Sequence, residues 1–200
     1  MKYAPNIEAV AALQPDFMGF IFYPPSKRFV GVEFQIGDIS SLPKEIKKVA
    51  VFVNAQLNEV EDFSRIYGIG HVQLHGDETP EFCAALKAQG FKIIKAFGVD
   101  DSFDFSALDK YADKVDYFLF DTKTADYGGS GKTFDWHTLK AYSLEIPFFL
   151  SGGLDADNLQ KLKDIQHPQL YGVDLNSRFE TEPAIKDAHL LEKVFKDIRQ

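Results

Sequence analysis

The sequence predicts an α/β fold built on a parallel sheet, and three observations carry that expectation. Seven short runs, residues 17–22, 49–53, 71–74, 92–97, 117–120, 148–150 and 170–173, are almost continuously apolar and too short for helices, as befits strands covered on both faces. Amphipathic stretches lie between them, including 57–67, 80–89 and 156–166. No Pro/Gly/Ser linker, charge block or repeat divides the chain, so its 200 residues are expected to form one domain over 1–200. Strands joined by helices or long crossovers pair in parallel. Two architectures fit: a closed (β/α)8 barrel, which needs eight strands and for which about 200 residues is the lower limit, and an open doubly wound sheet.

Taken in order, the chain opens with a helix-like stretch, 7–13, ahead of any strand. The first run continues into Tyr23-Pro24-Pro25-Ser26-Lys27-Arg28. This proline-stiffened loop presents Arg28 either to solvent or to a pocket mouth, where a guanidinium can grip a carboxylate through two parallel hydrogen bonds. The second run, 49–53, leads to the amphipathic stretch 57–67. The third ends in His75-Gly76-Asp77-Glu78, and His75 there can be an acid, a base or a structural polar residue. Thr79 and Pro80 then begin a helix as cap and first-turn proline, and Gly90 suits its end. After the fourth run, 92–97, the fifth stops abruptly at Asp121, ahead of a loop containing Gly128, Gly129, Ser130 and Gly131 and a helix start at 134–136. Parallel α/β proteins place catalytic side chains at C-terminal strand ends, so Asp121 is either a turn cap or a proton donor beside a glycine lid.

The sixth run exits through Ser151-Gly152-Gly153, and the seventh through Asp174-Leu175-Asn176-Ser177-Arg178. A Gly-Gly step lets backbone N–H groups approach an anion, and in barrels the loops after the last two strands commonly hold a phosphate. Pro183, preceded by Glu182, reads as the first turn of a closing helix.

The bulk numbers narrow the function. A net charge of −8 and a pI near 5.1 argue against a nucleic-acid or anionic-membrane surface. No run approaches the ~18 apolar residues of a membrane span and no signal-peptide pattern is present, so a cytoplasmic protein is expected. Cys83 is the single cysteine, which excludes an intramolecular disulfide and multi-cysteine metal sites. The five histidines are dispersed, there is no HExxH or EF-hand loop, and no nucleotide-binding glycine motif follows a strand. No metal is expected.

Taken together and in order, these segments resemble the phosphoribosylanthranilate isomerases of tryptophan biosynthesis. FIFYPPSKRFV resembles the family's second-strand motif, VFVN its third strand and VQLHGDE its fourth. FDTKTADYGGSGKTFDW is similar to the sixth-strand acid with its glycine loop and following helix. LSGGL and GVDLNSRFE resemble the phosphate loops after the seventh and eighth strands. The resemblance implies a TIM (β/α)8 barrel and an Amadori rearrangement of N-(5′-phosphoribosyl)anthranilate to a 1-deoxyribulose 5-phosphate. By resemblance Asp121 is the general acid, which must hold a proton near neutral pH, as burial at a strand end favours. Arg28 would hold the anthranilate carboxylate. Gly152, Gly153, Ser177 and the Arg178 backbone would cradle the phosphate, with Asp174 near the ribose hydroxyls and His75 at the site. No cofactor is implied, and the expected partner is a small phosphosugar, bound by a monomer or homodimer.

One departure shapes the expectation. Family members begin with a strand ending in a Cys-Gly motif whose cysteine is the general base, whereas Met1-Lys2-Tyr3-Ala4-Pro5-Asn6 matches the loop and helix after that motif. The expectation is a chain begun at an internal methionine, with seven strands, open edges flanking the missing one, and a rate lowered by ~10²–10⁴-fold for want of the base. Cys83, inside a helix, cannot replace it. Arg178 also stands where many relatives carry glycine. A non-catalytic phosphosugar or anthranilate binder is the alternative. An indole-glycerol-phosphate synthase relative is a third, disfavoured because that chemistry wants strand-end lysine and glutamate, and Lys95 is the only well-placed lysine.

Overall fold

The computed structural model describes residues 1–123 and 134–199; the glycine loop at 128–131 lies outside them. Each apolar run is a strand: β1 (Phe17–Ile21), β2 (Lys47–Phe52), β3 (His71–Leu74), β4 (Lys92–Val99), β5 (Tyr117–Thr122), β6 (Phe148–Leu150) and β7 (Leu170–Val173). They pair in sequence order, every neighbour parallel.

The sheet curls on itself. Six strand spacings of ~4.8 Å would hold β1 and β7 about 29 Å apart in a flat sheet. Instead the ring of Phe17 on β1 lies 6.3 Å from that of Tyr171 on β7, and the Phe17 ring also meets His71, Tyr117 and Phe149. An open doubly wound sheet is thereby excluded. The inner face is filled by Val49, Val51, Ile94, Ala96, Leu119 and Phe149. The alternate residues, among them Phe20, Phe52, Phe118, Phe120 and Phe148, point outward into the larger core under the helices. The period-two pleat thus gives each strand one inward and one outward set. The outer edge of β1 is not left bare: Gly19 and Ile21 carbonyls accept from Met1 N (2.7 Å) and Val30 N (3.0 Å).

The helices are α1 (Ala4–Ala11), α2 (Gly37–Ser40), α3 (Leu57–Ile66), α4 (Pro80–Ala88) and α5 (Ala188–Ile198). Thr79 caps α4 by accepting from Phe82 N–H, as its sequence anticipates. Two connections where helices were expected are short 3-10 turns, Trp136–Ala141 and Leu159–Asp164, and so is the crossover segment Phe105–Tyr111. Ahead of Leu159–Asp164, Asp155 and Asn158 cap the turn reciprocally, each side chain accepting from the other's backbone N–H. Pro183 does not begin a helix. It sits in the turn of a hairpin, β8 (Glu180–Glu182) with β9 (Ile185–Lys186). The helix after it starts later because Asp187 supplies the cap, accepting from Leu190 N–H. Among the described residues no helix is long and apolar enough to cross a membrane.

Candidate active site

The inward register that fills the sheet's interior also delivers polar groups to one end. On β3 the inward series His71, Gln73 continues to His75; on β5, Tyr117 and Leu119 lead to Asp121; on β6, Phe149 leads to Ser151. Each series is apolar or aromatic low in the strand and polar at its C-terminal end. A cavity of about 820 Å³ runs inside the curled sheet, and His75, Asp121, Ser151 and the Gly152-Gly153 step line it together with Arg28. Asp174 and Ser177 line it as well, whereas Arg178 does not.

Two contacts among the described residues hold Asp121. Its Oδ1 accepts from Thr122 N–H at 2.8 Å, and its Oδ2 lies 3.4 Å from His75 Nε2. Gln73 Nε2 is 2.9 Å from His75 Nδ1. An amide nitrogen can only donate, so Nδ1 accepts and the ring carries its proton on Nε2, facing Asp121. This leaves His75 without a lone pair for the cavity. Oδ2, with the longer contact, is the Asp121 oxygen better placed to exchange a proton.

The loop carrying His75 is braced from the helix side. Glu78 accepts from Asn54 N–H (2.9 Å) and Gly76 N–H (3.0 Å) and pairs with Lys95 Nζ (3.2 Å). Lys95 in turn donates to the carbonyls of Leu74, Gly76 and Ala96. The two residues that flank His75 are therefore tied to one ammonium. Lys95 is 1 % exposed and does not line the cavity, so it is a brace and not a strand-end catalytic lysine. Burial pulls its pKa down while Glu78 opposes the fall.

Past β6, Gly152 and Gly153 both have positive φ, +84° and +66°. A Cβ on Gly152 would press on Thr122 N and stand 2.5 Å from Asp121 Oδ1 and Thr122 Oγ1. The loop can pass Asp121 this closely only as glycine. Gly152→Ala is therefore expected to cost about 1–3 kcal/mol through left-handed strain and overpacking, measured by denaturant unfolding, and to displace Asp121.

Beyond β7, Asp174 accepts from Ser151 Oγ at 3.2 Å. Burial raises its pKa, and the Asp121 charge adds to this against Lys186 and His75. Arg28 does not extend freely into the cavity: its Nε and Nη2 bond both carboxylate oxygens of Glu180 at 2.7–3.0 Å. Glu180 also binds Lys186 Nζ (3.1 Å), which donates to Asn176 Oδ1 (2.8 Å). Cys83 is buried in α4 and burial pushes its thiol up to about 12, consistent with its exclusion as a base. Among the described residues no group of three or more His, Cys, Asp or Glu could hold a metal ion.

The sequence reading missed Gln73, Glu180 and Lys186. Lys95 inside the run 92–97 was the visible sign that a buried counter-charge must exist. Nothing local marks Glu180 and Lys186, which lie in a hairpin that Pro183 disguised.

The chain matches the family described as N-(5′phosphoribosyl)anthranilate (PRA) isomerase over residues 2–197. It is 44 % identical over 201 residues to the N-(5′-phosphoribosyl)anthranilate isomerase of Parabacteroides distasonis, covering 99 % of this chain and 90 % of the relative. The crystal structure of phosphoribosyl anthranilate isomerase from Thermotoga maritima superposes with a TM-score of 0.86 at 32 % identity, covering 100 % of this chain and 95 % of that one. A structure of such an isomerase in complex with reduced 1-(o-carboxyphenylamino)-1-deoxyribulose 5-phosphate gives a TM-score of 0.85 at 28 % identity, over 100 % and 95 % of the two chains. The expected impairment finds no support in these likenesses. With its curled parallel sheet, its strand-end acid and this match across nearly all its length, the chain belongs to the N-(5′-phosphoribosyl)anthranilate isomerase family.

Proposed function

We propose that this chain isomerises N-(5′-phosphoribosyl)anthranilate to 1-(2-carboxyphenylamino)-1-deoxyribulose 5-phosphate. The observation that carries the reading is convergence. An acid, an arginine and two anion-suited loops, drawn from four separate strand exits, line one cavity. The seven strands are read as seven of the eight in a (β/α)8 barrel, forming a single domain.

In this mechanism Asp121 protonates the ribose ring oxygen from Oδ2, the ring opens to an iminium, and transfer of the C2′ proton to solvent water gives an enolamine that tautomerises to the ketone. His75, fixed by Gln73, orients Asp121. The Gly152-Gly153 step and Ser177, with the Arg178 backbone beside it, hold the phosphate through N–H groups. Asp174 faces the ribose hydroxyls, and Arg28 holds the anthranilate carboxylate.

A barrel that binds the phosphosugar without turning it over is the second reading. Its one supporting observation is that neither His75 nor Cys83 is arranged to take the C2′ proton. Turnover followed by loss of anthranilate-type fluorescence, with binding of the reduced product analogue measured in parallel, separates the two. Turnover sinks the binder; binding alone sinks the isomerase.

A further inference from the structure

The bond between Arg28 and Glu180 joins residues 152 positions apart and is not a surface ion pair. The side chain of Glu180 is 4 % exposed. It lies behind Arg28, which lines the cavity, while Glu180 does not. Of the five N–H groups of a guanidinium, the Glu180 contact engages Nε and one hydrogen of Nη2. Both hydrogens of Nη1 and one of Nη2 remain, and one from each nitrogen forms the parallel fork that a carboxylate matches. The engaged edge is turned to Glu180, so the remaining fork is the edge available to the cavity.

The hairpin is itself anchored. Asn6 on α1 exchanges two hydrogen bonds with the Lys186 backbone, 2.8 Å each, and Lys186 Nζ binds Glu180 Oε1, which Arg28 Nε also reaches. Two cations share one carboxylate, and both Arg28 and Lys186 line the cavity, with Asp174 also beside Lys186. Burial raises the Glu180 pKa, but the hydrogen bonds and charges of Arg28 and Lys186 outweigh it and hold the carboxyl below its usual range.

We infer that Glu180 is a positioning residue that sets the preference for a carboxylate on the aromatic ring of the substrate, by presenting the free fork of Arg28 to the cavity. This rests on the reading of Arg28 as the carboxylate grip. Without Glu180 the arginine keeps its charge but samples several rotamers, and the cost of ordering it falls on binding.

The test compares two ligands in each variant: reduced 1-(o-carboxyphenylamino)-1-deoxyribulose 5-phosphate, and its counterpart without the ring carboxylate. The ratio of their Kd values is taken within one protein preparation, so any unfolded fraction cancels. The parent is expected to prefer the carboxylated ligand at least ~10-fold, the worth of a charge-assisted pair. Glu180→Gln is expected to lower that preference ~5–10-fold by weakening the carboxylated ligand alone. Equal weakening of both ligands, or an unchanged ratio, overturns the proposal. Arg28→Lys separates the layers. If it leaves the ratio unchanged, the grip itself is wrong; if it collapses the ratio while Glu180→Gln does not, only the positioning role fails. Should Glu180→Gln not fold, Glu180→Asp, one methylene shorter, carries the test, and an unchanged ratio there overturns the proposal.

Discussion

Asp121→Asn is expected to lower kcat by about 10²–10⁴-fold, the usual cost of deleting a general acid, with affinity for the reduced product analogue held within a few-fold. The substitution preserves shape, which isolates the proton. An asparagine oxygen can still accept from Thr122 N–H, but its amide nitrogen then meets His75 Nε2–H as donor against donor. If the amide flips, the conflict moves to Thr122. One of the two contacts is lost either way, for about 1 kcal/mol of stability. Steady-state kinetics with a parallel binding titration checks this. A loss appearing wholly in KM would assign Asp121 to substrate binding and remove it from the chemistry.

Lys95→Met is the second large effect, and it falls on stability. The change leaves the Glu78 carboxylate buried and deprives three carbonyls of a donor. Removing one partner of a buried pair typically costs about 3–5 kcal/mol, read from urea unfolding at neutral pH. Pairing it with Glu78→Gln should recover part of the loss, because both charges are then gone. Activity is expected to fall as well in the folded fraction. Lys95 ties the carbonyls of Leu74 and Gly76 on either side of His75, and Glu78 holds the Gly76 N–H. Gly76 is packed closely, since a Cβ there would collide with the Asn54 side chain. A double-mutant cycle showing no coupling between positions 78 and 95 would refute the brace.

Much of the frame was legible before any coordinates. The seven strands were marked by their apolar runs, because burial on both faces leaves a signature within five or six consecutive residues. The strand-end groups were legible for the same reason. Asp121, His75 and the Gly152-Gly153 step follow directly on those runs, and alternation carries them to the interior. The capped start of α4 at Thr79-Pro80 is likewise a local event, settled by one hydroxyl and one fixed φ. Less legible were the connections after β4, β5 and β6, which are short 3-10 turns rather than regular helices. Pro183 misled because a proline suits a hairpin turn as well as a first helical turn.

Which segments become strands and which residues stand at their ends is written in the chain, since both follow from periodicity over a few neighbours. The folded structure settles that the sheet curls until Phe17 meets Tyr171, because that depends on twist accumulated over seven strands. It also settles who pairs with whom. Glu180 reaches Arg28 across 152 residues, Gln73 sets the proton on His75, and Lys95 finds Glu78. A charge inside a strand announces that a partner must exist, but its identity is a matter of distance in space, which the linear pattern does not contain.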